Sequence, residues 1–127
     1  MHLADGILEP QVIAFGFSAT ACLFYLVKEK RVTIIPKIPK ISIITAALFI
    51  ASLIHIPVGL TTVHFSFVGL AGILLGPLSF LAVVISLVMH LFLFSHGGFS
   101  TLGMNILNFS LAALGSYYLF SIRKKYN

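Results

Sequence analysis

All eight lysines and arginines of this 127-residue chain fall in two short clusters: Lys28, Lys30, Arg31, Lys37 and Lys40 in one, Arg123, Lys124 and Lys125 in the other. Between Lys40 and Arg123 there is no ionic side chain, and the acids are Asp5, Glu9 and Glu29. A water-soluble domain needs charge spread over its surface, about 25% of its residues. Here 9% are charged and 59% hydrophobic, with a mean hydropathy of +1.10. A chain this apolar cannot stay solvated as a coil either. The composition predicts a membrane protein.

The net charge of +5 and pI near 9.7 do not point to nucleic acid. Both basic clusters are what loops between membrane spans carry, and no groove-reading element lies between them. The single Cys22 sits in an apolar run, which excludes an internal disulfide or a CxxC site and predicts a small buried thiol. The opening Met-His-Leu-Ala-Asp-Gly lacks the positive region of a signal peptide, so the start reads as mature sequence.

A span needs roughly 17 to 25 mostly apolar residues. Residues 10–27 and 41–58 supply two, separated by a basic loop in which Pro36 and Pro39 forbid a continuous helix. The apolar run from His64 to Phe94 is interrupted at Gly76-Pro77, and residues 102–122 make a last span. Taking Gly76-Pro77 as a turn between a short helix over 61–75 and another over 78–94 gives five spans. All eight basic residues then lie on one side, which carries +7 once Glu29 is counted, and Asp5 and Glu9 leave −2 on the other. The positive-inside rule prefers that arrangement to four spans. Tyr25, Tyr117, Tyr118 and Tyr126 fall near the same inner interface. The expected fold is therefore an all-α transmembrane bundle in one membrane-embedded domain, amino terminus outside and carboxyl terminus cytoplasmic. The third helix, too short to span comfortably, should be embedded with a loop dipping below the surface, which irregular backbone tolerates only beside protein or a cavity.

Ionisable and amide groups near a membrane are functional suspects, and here they are His2, Asp5, His55, His64, His90, His96, Asn105 and Asn108. A residue as bulky as His2 preserves the initiator methionine. The Met1 amine, the residue 2 peptide nitrogen and the His2 imidazole Nδ1 can then close fused chelate rings on one metal ion. Three coplanar nitrogens suit tetragonal or square-planar nickel or copper better than tetrahedral zinc. His64, in the outer loop at the mouth of the third helix, is the candidate fourth ligand. The plainer alternatives are a disordered His2 and a His64 in a first helical turn capped by Thr61 or Thr62. His55 and His90, near the outer ends of the second and fourth helices, suit either a bis-histidine b-haem or hydrogen bonds to hydroxyls of neighbouring helices. His96, beside Gly97-Gly98, reads as a turn residue. Asn105 and Asn108 share a face of the fifth helix, there to bind helices together or to reach the outer-loop site. Ala14, Ser18 and Ala21 on the first helix, and Gly69, Gly72 and Gly76 on the third, permit close helix approach. No phosphate-binding loop motif is present.

Three blocks resemble one known family: Met1-His2-Leu3-Ala4-Asp5-Gly6; Thr62-Val63-His64 followed by Gly69-Leu70-Ala71-Gly72-Ile73-Leu74-Leu75-Gly76; and His96-Gly97-Gly98-Phe99-Ser100-Thr101-Leu102-Gly103-Met104-Asn105. They resemble the CbiM/NikM family, the cobalt and nickel substrate-binding membrane subunits of energy-coupling-factor transporters, and more closely its cobalt branch. The resemblance implies a square-planar Co2+ or Ni2+ site from Met1, His2 and His64, with Asp5, Thr62, His96 and Asn105 as candidate supports. It also implies a plasma-membrane uptake component, not an enzyme. Its partners would be a coupling transmembrane subunit, cytoplasmic ATPases and a small accessory membrane subunit, its product cobalt for cobalamin synthesis, with no organic cofactor. Two departures stand out. Val68 replaces an expected asparagine, and the chain ends after the fifth helix where family members are longer. The competing expectations are a small b-haem electron carrier using His55 and His90, and a non-transporting family remnant.

Overall fold

A computed structural model describes residues 3, 5–29, 34–58 and 61–126, with the side chains at 28, 29, 55, 58, 61–64 and 126 outside the description. Among the described residues five α-helices form the body: α1 Pro10–Glu29, α2 Ile38–Leu53, α3 Val68–Leu75, α4 Ser79–Phe94 and α5 Leu102–Tyr126. A two-stranded antiparallel ribbon, β1 His55–Val58 and β2 Thr61–His64, joins α2 to α3.

Proline starts the first two helices. Pro10 occupies the first position of α1, whose Glu9 carbonyl accepts from the Val12 and Ile13 amides, a place where proline's missing N–H costs nothing. Pro36 lies in a 3-10 turn, Ile35–Lys37, and Pro39 in the first turn of α2. The second helix thus begins three residues before the expected 41. It also ends early, at Leu53 rather than 58, with Ile54 already extended at φ −78°, ψ 110°. Pro57 forces the residue before it out of the helical region, and Val58, Thr61, Thr62 and Val63 are β-branched types that favour a strand. The expected helix over 61–75 is therefore a strand over 61–64 and a helix that starts only at Val68. Its N-cap is Phe67, with no side-chain cap, not Thr61 or Thr62.

Gly76 reverses the chain. It adopts φ +60°, ψ −135°, a conformation glycine alone takes readily, and Pro77 then opens a 3-10 turn into α4. Val68 and Leu87 line the same small cleft, together with Ser52, Ser66 and Phe109. On one unbroken helix those two residues would stand roughly 28 Å apart. Consistently, the Lys40 ammonium at the start of α2 donates to the Leu74 carbonyl at 2.7 Å, while Ser52 at the far end of α2 bonds His90. So α3 runs against α2 and α4 runs with it.

The core lies among α2, α3, α4 and α5, with Phe80, Leu78, Val83, Ala71 and Ala113 almost fully enclosed. A Cβ on Gly72 would fall 1.9 Å from the Ala113 carbonyl oxygen, so α3 and α5 touch backbone to backbone. α1 is peripheral. It packs on α5 through Gly16 against Met104 and through Thr20, whose hydroxyl donates to the Gly103 carbonyl at 2.8 Å. Its inward stripe is Gly16, Thr20, Leu23 and Val27. That rotation leaves Ala14, Ser18 and Ala21 exposed, and Cys22 exposed rather than buried as expected. Among the described residues three stretches are long and apolar enough to cross a membrane: Pro10–Val27, Ile35–Leu53 and Val68–Phe94.

The two ends of the bundle differ. Leu26 and Val27 of α1, Pro77, and Leu114 and Tyr118 of α5 line one cleft, and Lys40 reaches Leu74 at that same end. Arg123, Lys124 and Lys125 finish α5 just beyond it. Leu3, Asp5, the end of α4 and the start of α5 gather at the other end.

Candidate functional site

α5 opens in a way that creates a receptor for another piece of chain. The Thr101 carbonyl accepts the first helical bond, from the Asn105 amide at 2.9 Å, so the amides just before it have no helical partner. Asp5 fills them. Its carboxylate accepts from the Phe99 amide at 3.1 Å, the Ser100 amide at 2.9 Å and the Ser100 hydroxyl at 2.5 Å. Gly6, at φ +82°, turns the chain away towards α1. Gly98 lies directly beneath, and a Cβ there would come within 2.2 Å of the Asp5 carboxylate and 2.5 Å of its backbone nitrogen.

Those bonds, the Ser100 hydroxyl first and then the Ser100 and Phe99 amides, outweigh desolvation and lower the Asp5 pKa below its ordinary 3.8. A depressed carboxylate stabilises the folded arrangement at every pH above its ordinary value and loses that contribution as pH falls through the lowered one. The Ser100 amide nitrogen shift, followed by NMR in detergent, should therefore stay constant down to about pH 4 and change only below it. Asp5→Asn should show the released shift at neutral pH.

One step earlier, Leu3 is clamped by a side chain that imitates a strand. The Leu3 amide donates to Asn105 Oδ1 at 2.9 Å, and Asn105 Nδ2 donates back to the Leu3 carbonyl at 3.2 Å. The Thr101 hydroxyl donates to the same carbonyl at 2.6 Å, with the Gly98 carbonyl also within 3.1 Å. Asn105 is 3% exposed and Thr101 fully buried, so these polar groups have no water to turn to and the clamp satisfies them. Asn108, one turn on, is exposed and lines a cleft with Leu3, Asn105 and Phe109.

The candidate ligands divide. Met1 and His2 lie outside the described residues. His64 ends β2 opposite His55, and Thr62 pairs with Pro57. His55 thus lies on a strand, not on the second helix. His90 is fully buried in α4, where the Ser52 hydroxyl, itself donating to the Phe49 carbonyl at 2.9 Å, bonds its Nε2. His90 therefore makes the interhelical hydrogen bond, and the haem alternative loses its pair of facing helical histidines. His96 is half-buried, its ring stacked 6.0 Å from both His90 and Phe94. The turn around it takes positive φ at Ser95 (51°) and Gly97 (87°). Among the described residues no three His, Cys, Asp or Glu side chains form a metal-holding group.

Ser100, Thr101, Gly98 and Ser52 were not singled out in the sequence as members of the site. Ser100-Thr101 ahead of an apolar run is an N-cap signal and could have drawn notice to the first two.

The helical fold defines a membrane protein whose amino-terminal segment is anchored by polar groups at the end opposite its basic residues. A family profile described as "Cobalt uptake substrate-specific transmembrane region", CbiM, matches residues 2–127, and the chain belongs to that family. It is 35% identical over 97% of its length to a metal transport protein of Haemophilus influenzae, covering 59% of that protein. It is 31% identical over 87% of its length to the fused nickel transport protein NikMN of Rhodobacter capsulatus, covering 33% of it. With the cobalt transport protein CbiM of Sorangium cellulosum it shares 29% identity over 98% of its length and 59% of the relative's. The chain therefore spans between a third and three fifths of these relatives. No solved structure matches it.

Proposed function

We propose that the chain captures Co2+ or Ni2+ as the substrate-binding membrane component of an uptake system. The ion is its cargo, held in a plane by the Met1 amine, the peptide nitrogen and imidazole of His2, and the His64 imidazole. The observation that carries this reading is the double anchorage of the amino-terminal segment, Leu3 on Asn105 and Thr101, and Asp5 on Phe99 and Ser100. A chelate of three nitrogens within the first two residues needs a fixed point of attachment immediately after it, and residue 3 is that point. Phe109 supports the meeting with His64: it lines one cleft with Leu3 and another with Ser66, two residues after His64. The relatives named for nickel and cobalt transport agree with an all-nitrogen site, which both ions accept.

Five crossings with the amino terminus outside fit the reversal at Gly76 and the gathering of Lys37, Lys40, Arg123, Lys124 and Lys125 at the end opposite Asp5 and Glu9. The ion would be taken from the outer face of the plasma membrane and stripped of water by the nitrogen ligands. ATPase subunits acting through a coupling membrane protein would then drive reorientation of this chain, with an accessory membrane subunit supplementing it, and the cobalt would serve cobalamin synthesis.

Elemental analysis of protein with a free Met1 is expected to find about one Co2+ or Ni2+ per chain. His2→Ala and His64→Ala should each weaken binding by at least the roughly 10–100-fold typical of losing even an outer partner of a metal ligand. A tag before Met1 should do the same. Unchanged binding in all three would overturn the assignment, and a chain that binds the ion yet leaves cellular cobalt unchanged on deletion would be a non-transporting remnant.

A further inference from the structure

We propose that Asn105 is the positioning residue that carries the Met1–His2 chelate to His64, an inference that rests on the site proposed above. Three of its four nitrogens belong to two consecutive residues and can close on an ion wherever the amino terminus happens to be. The fourth comes from a separate element, β2. Bringing the two halves together is therefore a docking problem, and the structure assigns the dock. Asn105 meets both backbone groups of Leu3, at 2.9 and 3.2 Å. A contact to both faces of one peptide residue fixes its register and rotation as well as its position, which a single bond cannot do.

Asn105 is itself held rigidly. It is 3% exposed, its backbone amide bonds the Thr101 carbonyl at 2.9 Å, and it sits in the first turn of α5, where Gly103 packs against Gly16 and Phe17 of α1. The Thr101 hydroxyl, on the same turn, secures the Leu3 carbonyl from a second side. The amide of Asn105 has the donor and the acceptor that a backbone pairing demands, and neither aspartate nor leucine has both.

The test compares Asn105→Leu, His64→Ala and the double variant, all with a free Met1, using Ni2+ alone as probe and reading both affinity and the visible ligand-field spectrum. With the dock gone, the two-residue chelate still holds Ni2+ but without His64. Asn105→Leu should then lose roughly 10–100-fold in affinity, take on the spectrum of His64→Ala, and show no further loss when His64→Ala is added. Thr101→Val, which removes one of the three bonds to Leu3, should fall between wild type and Asn105→Leu. Independent, additive losses, or a four-nitrogen spectrum retained by Asn105→Leu, would overturn the positioning role. Should Asn105→Leu fail to fold, Asn105→Asp, which keeps an acceptor for the Leu3 amide but has no donor for its carbonyl, replaces it, and wild-type spectrum and affinity there would overturn the role. If His64→Ala itself leaves the wild-type spectrum and affinity unchanged, the underlying metal site is what fails.

Discussion

Gly72→Ala is expected to destabilise the bundle by more than about 3 kcal/mol, beyond the usual range for overpacking a core. The added methyl would lie 1.9 Å from the Ala113 carbonyl oxygen, 2.6 Å from its carbon and 3.0 Å from its Cα. A clash with a flexible side chain can be relieved by a rotamer change, but this one is with helical backbone. The two helices must separate, and Val68, Ala71 and Leu75 on α3 part company with Ala113 as they do. Gly115→Ala, on the same helix α5, is the control. Nothing lies within 4 Å of its Cβ position, so alanine there should gain about 0.5–1 kcal/mol from helix propensity. Unfolding midpoints in detergent measure both. Equal midpoints for the two variants would mean that α3 and α5 do not meet at Gly72.

The contrast between these glycines shows what the sequence could tell. Gly69, Gly72 and Gly76 at helical spacing announced a close helix crossing, and the charge segregation made Gly76-Pro77 a turn instead of a kink. The face of α1 was not legible. Lipid tails are as apolar as a leucine side chain, so a lipid-facing surface and a buried one look alike in composition. Cys22 and the Ala14–Ser18–Ala21 stripe were read as packing positions for that reason, while Gly16 and Thr20 make the contact. The strands β1 and β2 were missed because overall hydropathy concealed the local message of Pro57 and its β-branched neighbours. For the site, sequence could mark Asp5 and Asn105 as polar residues at one end, but a hydrogen bond to backbone leaves no trace in residue identity. That Asn105 reads Leu3, and Asp5 reads Ser100 and Phe99, follows only from the fold. His90 shows the converse: of its two readings, haem ligand or interhelical hydrogen bond, the second holds, and the ring ties α4 to Ser52 of α2.

Gly98→Ala should separate the fold from the site. Gly98 has no left-handed φ, so alanine suits its backbone, and the three atoms nearest its methyl belong to Asp5: the carboxylate at 2.2 and 2.3 Å and the backbone nitrogen at 2.5 Å. The bundle need not move, but residue 5 must. Its three hydrogen bonds to Phe99 and Ser100 are lost, and Leu3 is pulled against its clamp. The expected result is a stability lower by about 0.5–2 kcal/mol, the cost of losing a helix cap, short of the Gly72→Ala loss. Alongside it come a Ser100 amide shift matching that of Asp5→Asn and a Co2+ or Ni2+ affinity lower by roughly 10–100-fold. Adding Asp5→Ala to Gly98→Ala should not restore binding, because the nearest backbone nitrogen stays where the methyl must go. Wild-type affinity in Gly98→Ala together with the displaced Ser100 shift would show that the proposed metal site needs only the Leu3 clamp. An unchanged shift would show that residue 5 does not rest on Gly98 at all.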